Sequence, residues 1–481
     1  MPQTIDAQIS HGPFRPLNAE VIAEQSKVTL SSRKKDYLQA FTEHYCSKTG
    51  KSKEQTGQFR PYYADQRAIS FFHLSLKELC YPIWCHSAQG AKTVDIDGNE
   101  YIDVAMDFGI SLFGHQADFI KKAVQAQLEK GWAIGMRPEK SPLVAEKLCR
   151  ITGMERAVFC QSGTEAVMSA VRIARHVSKK KKVVIFSSSY HGHSDCLIAI
   201  GVRSGDRMTA KPITPGTTPG AIEDLVILEY CAPESLQIIA SLKNELAAVV
   251  AEPVQSRSLN KEPEEFLNNL RKLTKEMGVA LIFDEMVTGF RVAPGGVQEY
   301  FQVKPDLATY GKIVGGGLCI GAIAGSAKYL DAVDGGPWEF GDNSYPQVDK
   351  TFFAGTHCQN ALAMAAADAV LNRLLEEGPA LQQALNEKCA AMCTRINVVL
   401  EREGLPIRAL HFGSLFRFDP IARVAPVDQN LFTYHLRDNG VMVSEVGNNF
   451  LSTAHTQEDI DHIVTAVENS VAAMKSGGYW A

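Results

Sequence analysis

Lys312 stands in the stretch DLATYGKIVGGGLCIGA, residues 306–322, just ahead of three consecutive glycines, Gly315 to Gly317. A lysine amine on so bare a segment suits attack on an aldehyde carbon, whereas the nucleotide readings of the glycines fail. A phosphate-cradling P-loop needs Ser or Thr directly after its Gly-Lys, and here Ile313 follows. A dinucleotide fingerprint counted from Gly315 needs glycine at its sixth place, which Ile320 occupies. Further chemically able residues precede the lysine. Ser162, Gly163 and Thr164 in QSGTEA form a small-residue turn suited to an anion, and Tyr190 and His191 lie in SSSYHGHSD. Glu252 opens EPV, and Asp284, with Met286 two places beyond it, lies 28 residues before Lys312. His191 and His193 are two apart with no third ligand beside them, so no metal centre is expected.

Each of these groups follows a short apolar run. RAVFC precedes Ser162, KVVIF precedes Tyr190, AAVVA precedes Glu252 and VALIF precedes Asp284. With DLVIL and GAIAG, these runs alternate with helix-spaced segments between residues 142 and 325. That alternation predicts an α/β unit with a mostly parallel, doubly wound sheet, and ligands of such sheets bind outside the carboxyl ends of the strands. A turn that opens a helix offers N–H groups and a positive dipole end to a phosphate. A phosphate cradle, an aromatic ring, a carboxylate and a lysine at the ends of one sheet are together what pyridoxal 5′-phosphate (PLP) requires. Lys312 would form a Schiff base with its aldehyde and afterwards shuttle protons. Asp284 would face the pyridine nitrogen and keep it protonated, since an opposite charge at hydrogen-bond distance raises that nitrogen's pKa. Tyr190 would stack on one ring face and Met286 point toward the other. His191 joins the cofactor-binding candidates, and the glycines after Lys312 would let backbone pass close to the bound group.

At roughly 150 residues per domain, the 481 residues suggest about three folding units, or one large domain with a smaller companion. The composition, 45% hydrophobic and 21% charged with a mean hydropathy of -0.10, is that of a soluble globular chain. A net charge of -5 gives no chain-wide attraction to nucleic acid or anionic lipid. The eleven cysteines contain no CxxC pair and the polar start MPQTIDAQISHGPF is no secretory signal, so reduced thiols and a cytoplasmic location are expected. No apolar run approaches the ~18 residues of a membrane span. Residues 1–45 read as a leader or linker and a first helix, and 46–115 as the N-terminal part of a small domain, with a hairpin in KTVDIDGNEYIDV about Asp97-Gly98. Residues 116–364 read as the large cofactor-binding domain. Residues 365–481 read as the C-terminal part of the small α+β domain, with strands at SLFRF and GVMVS.

The stretches DIDGNEYID, LFGH, QSGTEAVMSAVRIAR, YHGHSD, AEPV, IFDEMVTGFR, PDLATYGKIVGGGLCIGA and GTHCQNALAMAAA span about residues 90–370. In them the chain resembles the class III aminotransferases of PLP fold type I, most closely the glutamate-1-semialdehyde aminomutase branch. The resemblance implies a homodimer with active sites at the interface. Thr356 would then reach the partner's cofactor phosphate, and Glu252 would lie near Tyr190's side of the ring.

Two departures bear on substrate. Many class III enzymes grip an α-carboxylate through an RGxG motif, but RALHFGSLFRF puts Leu410 three places before Gly413. The Pro- and Gly-rich start of the aminomutases is replaced by RPYYADQRAISFFHLSLKE. The N-terminal part is similar to aminotransferase domains of hybrid polyketide and nonribosomal peptide synthetases, whose β-ketoacyl thioester substrate has no free carboxylate to grip. This resemblance implies transfer from an amino-acid donor to the β-carbon of an acyl chain held on a carrier protein, with Phe108 and Phe113 of DFGISLFGH as candidates for lining the acyl path. The rival readings are a free-standing glutamate-1-semialdehyde aminomutase or ω-type aminotransferase, and an inactive scaffold of the same fold.

Overall fold

The computed structural model describes residues 19–26, 30–133, 135–204 and 207–480. Most of the expected leader lies outside these residues, but a helix covers Ala19–Ser26. The described residues form two compact units, one from those up to 117 together with 387–480 and one from those between 118 and 386.

In the first unit the helix Ser32–Lys48 begins where Ser31 Oγ accepts the N–H of Lys34 at 3.4 Å, and it buries Leu38, Phe41 and Tyr45. The strands β1 (Cys85–Gln89), β2 (Lys92–Asp95) and β3 (Glu100–Asp103) form an antiparallel meander. Asp95 Oδ1 closes the β2–β3 turn by accepting the N–H groups of Asp97 at 2.9 Å and Asn99 at 2.8 Å. After β3 the chain turns left-handed: Met106, Asp107, Phe108 and Gly109 have φ of 46, 50, 57 and 89°. Such a conformation costs a non-glycine residue ~1–2 kcal/mol, so the turn needs outside support. Asp103 supplies it, its Oδ1 accepting the N–H groups of Ala105 at 2.8 Å and Met106 at 3.0 Å. Phe108 is half-buried on this turn, its ring centre 5.9 Å from the Arg67 guanidinium, and Phe113 is half-buried beyond it.

The second unit is built on a seven-stranded sheet. In chain order its strands are β4 (Arg156–Cys160), β5 (Lys182–Phe186), then, after a separate hairpin of β6 (Ala199–Ser204) and β7 (Arg207–Pro212), β8 (Leu225–Leu228), β9 (Leu246–Ala251), β10 (Ala280–Asp284), β11 (Leu307–Tyr310) and β12 (Gly321–Gly325). The spatial order is β4-β12-β11-β10-β9-β5-β8, and only β12 runs against the rest. Strands β9 and β10 are buried along their whole length, as parallel strands covered on both faces must be. Alternate residues such as Ile185, Val250 and Ile282 share a core with Val167, Ala170 and Val171 of the helix Gly163–Ser178. This is the α/β architecture expected from the alternating apolar runs.

Returning to the first unit, β13 (Ile407–Phe412), β14 (Leu415–Pro420) and β16 (Asn449–Phe450) form a second small sheet, and β15 (Val441–Met442) pairs parallel with β3. Leu410 on β13 lies opposite Arg417 on β14. Among the described residues no helix is long and apolar enough to cross a membrane.

Candidate active site

Strands β10 and β11 run side by side with Asp284 in register with Thr309, and Lys312 follows shortly after the end of β11. Lys312 is half-buried, has a φ of 46° and opens a short 3-10 turn, Lys312–Gly315. Gly316 and Gly317 have φ of 56 and 100°, and a Cβ on Gly315 would stand 2.8 Å from Ile320 Cγ2. A Cβ on Gly316 would meet Ile120 Cγ2 at 3.1 Å, so the turn also packs closely on its own unit.

Asp284 ends β10 with 4% of its surface exposed. Its Oδ2 lies 2.8 Å from His191 Nδ1, and its Oδ1 accepts the N–H of Met286 at 3.2 Å and the hydroxyl of Thr309 at 3.3 Å. His191 is buried too, and its Nε2 has no hydrogen-bond partner among the described residues. The loop after β5 that carries His191 is tied to the loop after β9. Glu252 Oε2 accepts the N–H of Tyr190 at 3.0 Å, and its Oε1 accepts the hydroxyl of Ser256 at 2.9 Å. Burial pushes the Glu252 carboxyl up; His191 works against that push and the charge of Asp284 works with it. The Tyr190 ring is 39% exposed, with the guanidinium of Arg257 4.8 Å from its centre. Burial raises the Tyr190 phenol, and the Arg257 charge opposes the rise.

Ser162 caps the helix Gly163–Ser178, its Oγ accepting the N–H of Glu165 at 3.3 Å. The His191–His193 loop packs on this helix end: His193 Nδ1 lies 3.3 Å from Thr164 Oγ1, and a Cβ on Gly192 would come within 2.5 Å of the same oxygen. The Met286 sulfur lies 2.8 Å from where a Cβ on Gly163 would stand and 2.9 Å from where one on Gly311 would stand. It therefore sits between the helix start and the lysine turn. Thr356 is exposed and shares no hydrogen bond with this set among the described residues. Its segment nevertheless runs along the same helix, where Arg172 Nη1 donates to the carbonyl of Phe352 at 3.4 Å. Sequence reasoning passed over Arg257, Thr309 and Ser256; of these only Arg257 left a signal, as a cation in the loop that Glu252 opens.

These groups fit PLP. A buried carboxylate braced by an imidazole can hold a protonated ring nitrogen, and a helix end with Ser and Thr can hold a phosphate. The orphaned, buried Nε2 of His191 is a polar atom that a bound partner would satisfy. Among the described residues no cluster of His, Cys, Asp and Glu could hold a metal ion.

Comparison with known proteins agrees with this geometry. Residues 76–471 match the family described as Aminotransferase class-III. Glutamate-1-semialdehyde 2,1-aminomutase of Methanosphaera stadtmanae is 33% identical over 400 residues, covering 81% of this chain and 91% of the relative. The enzyme of that name from Geotalea daltonii is 34% identical over 410 residues, covering 82% and 92%. Among solved structures, an omega-transaminase from Sphaerobacter thermophilus superposes with a TM-score of 0.77 at 27% identity, over 89% of this chain and 98% of its own. A beta-phenylalanine aminotransferase from Variovorax paradoxus gives 0.78 at 26%, over 92% and 98%. With a family match over most of its length, a lysine beyond one sheet strand and a carboxylate ending the next, the chain belongs to the class III aminotransferases, enzymes that work through pyridoxal 5′-phosphate.

Proposed function

We propose that this chain moves an amino group from a donor amine to a carbonyl carbon, with Lys312 as the reacting amine and Asp284 as the partner of the cofactor's ring nitrogen. The observation that carries this is the placement of Asp284 and Lys312 beyond neighbouring parallel strands, at the sheet edge where the helix Gly163–Ser178 begins. Bound PLP supplies a carbonyl carbon that takes up the amino nitrogen and a cationic ring that draws electrons from the carbon losing its proton. Lys312 would hold the cofactor through its Nζ, and the same Nζ, as a free amine, would carry the proton taken from the donor carbon. Asp284 keeps the ring nitrogen protonated, and His191 keeps the Asp284 carboxylate turned toward its task. Ser162, Gly163 and Thr164 hold the phosphate, while Tyr190 and Met286 flank the ring, with Glu252 fixing Tyr190 through its backbone. Family members are generally homodimers, and Thr356 would complete the phosphate site of a second copy. Borohydride treatment of the loaded enzyme should leave the cofactor on the peptide carrying Lys312; a label on another lysine would refute the assignment.

Two acceptors compete. The names of the relatives support an amino-aldehyde such as glutamate-1-semialdehyde, with the transfer made within one molecule. A carrier-bound β-ketoacyl thioester is the second reading, resting on Leu410 and the segment RPYYADQRAISFFHLSLKE. Arg417, opposite Leu410, supports it by being committed elsewhere, to Asp419 at 2.9 Å and to Asn448. The test offers the semialdehyde, a β-ketoacyl carrier protein and the free β-keto acid at matched concentration with one donor. Fastest turnover of the semialdehyde establishes the first reading, and fastest amination of the carrier-bound chain establishes the second.

A further inference from the structure

We propose that Arg257 recognises the carboxylate of the amino-acid donor. The proposal rests on the aminotransferase reading above and adds the residue that tells an amino acid from a plain amine. Once the donor's nitrogen is held at the cofactor, its carboxylate is the remaining charge, and a half-buried site needs a cation to receive it. Lys312 is committed to the cofactor. Arg257 brings a second cation to the same edge of the same sheet, with its guanidinium 4.8 Å from the centre of the Tyr190 ring.

Its position is built in. Gln255 Nε2 donates to the carbonyl of Ser187 at 2.7 Å, the hydroxyl of Ser256 donates to Glu252 Oε1 at 2.9 Å, and the N–H of Tyr190 donates to Glu252 Oε2 at 3.0 Å. The first and third of these bonds lace the loop after β9 to the loop after β5, strands that are neighbours in the sheet, and the second braces Glu252 within its own loop. Arg257 is therefore set on Tyr190 by the sheet itself. A guanidinium is attracted to an aromatic ring at this distance, and its planar fork of N–H donors matches a planar carboxylate with two parallel bonds. The charge also reaches the cluster, pulling the Tyr190 phenol and the Glu252 carboxyl down against the push of burial.

The experiment compares wild type, Arg257→Lys and Arg257→Gln, each loaded with PLP and shown to keep the wild-type cofactor absorbance. Binding is read by calorimetry with 2-aminoisobutyrate and its amide. Both lack the proton that would be removed, so they report binding alone, and they differ in the carboxylate. Wild type should prefer the acid by about tenfold or more, the usual strength of a charged hydrogen-bonded pair. Arg257→Gln should lose that preference and Arg257→Lys keep part of it. In the half-reaction, Arg257→Gln should raise KM for L-alanine while leaving L-alaninamide within about twofold. An acid-to-amide ratio unchanged in Arg257→Gln, no preference in wild type, or equal losses with both compounds would each overturn the proposal. Failure of every variant to react with any amine, with the binding preference intact, would instead count against the aminotransferase reading and leave Arg257 in place.

Discussion

At Asp284 a carboxylate with 4% exposure meets an imidazole with 2%, at 2.8 Å. Removing its charge while keeping its shape, as Asp284→Asn does, should slow the half-reaction by several orders of magnitude, each ~1.4 kcal/mol of lost stabilisation being a factor of ten. Stopped-flow absorbance reads this, and a near-normal rate would rule the role out. The next residue gives a pH signature. Burial pushes the Glu285 carboxyl from 4.5 up to about 7, against hydrogen bonds from Thr288 and from backbone N–H groups including that of Gln298. The folded chain thus holds a proton that the unfolded chain releases, so this group's contribution is full below about pH 4.5 and fades as pH rises through about 7. Melting temperatures across that window should fall less steeply for Glu285→Gln than for wild type; parallel curves would contradict it. Asp284 and Ser162 stood out in the sequence because each follows an apolar run, and Lys312 because it stands just ahead of a glycine-rich turn. Arg257 on Tyr190 did not, because that contact depends on β9 lying beside β5, and adjacency in a sheet leaves no mark on local spacing.

Among the elements, six apolar runs became six strands of the large sheet, while β11, LATY, was passed over. Its four residues include Thr and Tyr, so it stands out in neither length nor apolarity, although it delivers the chain to Lys312. Strand direction was equally hidden: GAIAG reads like its parallel neighbours yet β12 runs against them. The hairpin β6–β7 was missed as well, its glycines and charges masking the strand pattern. Burial makes the sheet a rigid mount. Ile282, fully buried in β10, contacts the helix-side core, and Ile282→Ala should cost about 2–5 kcal/mol in urea unfolding. Because Asp284 ends the same strand, PLP affinity should weaken alongside. A loss under about 1 kcal/mol would show that the core yields more than close packing permits.

For the whole molecule, the segment leading to Thr356 exposes Trp338 by 47%, Phe340 by 92%, Tyr345 by 64% and Phe352 by 78%. Apolar exposure on this scale suits a surface that a second copy covers. Mixing Lys312→Ala with Thr356→Glu should then restore activity that neither variant has alone, since one site of the mixed dimer pairs an intact lysine with an intact threonine; no recovery after subunit exchange would refute the shared site. The first unit carries a different consequence. Its β3 is completed by β15, with Ile102 paired to Val441, so its two ends are made far apart in time. At ~5–20 residues per second of synthesis, the meander waits roughly tens of seconds for its last strand. Until then β3 offers an open edge in the cell. The second unit, contiguous from 118 to 386, can close during that wait, so a chain stalled near its C-terminus would expose β3 for capture by chaperones while already holding a finished seven-stranded sheet.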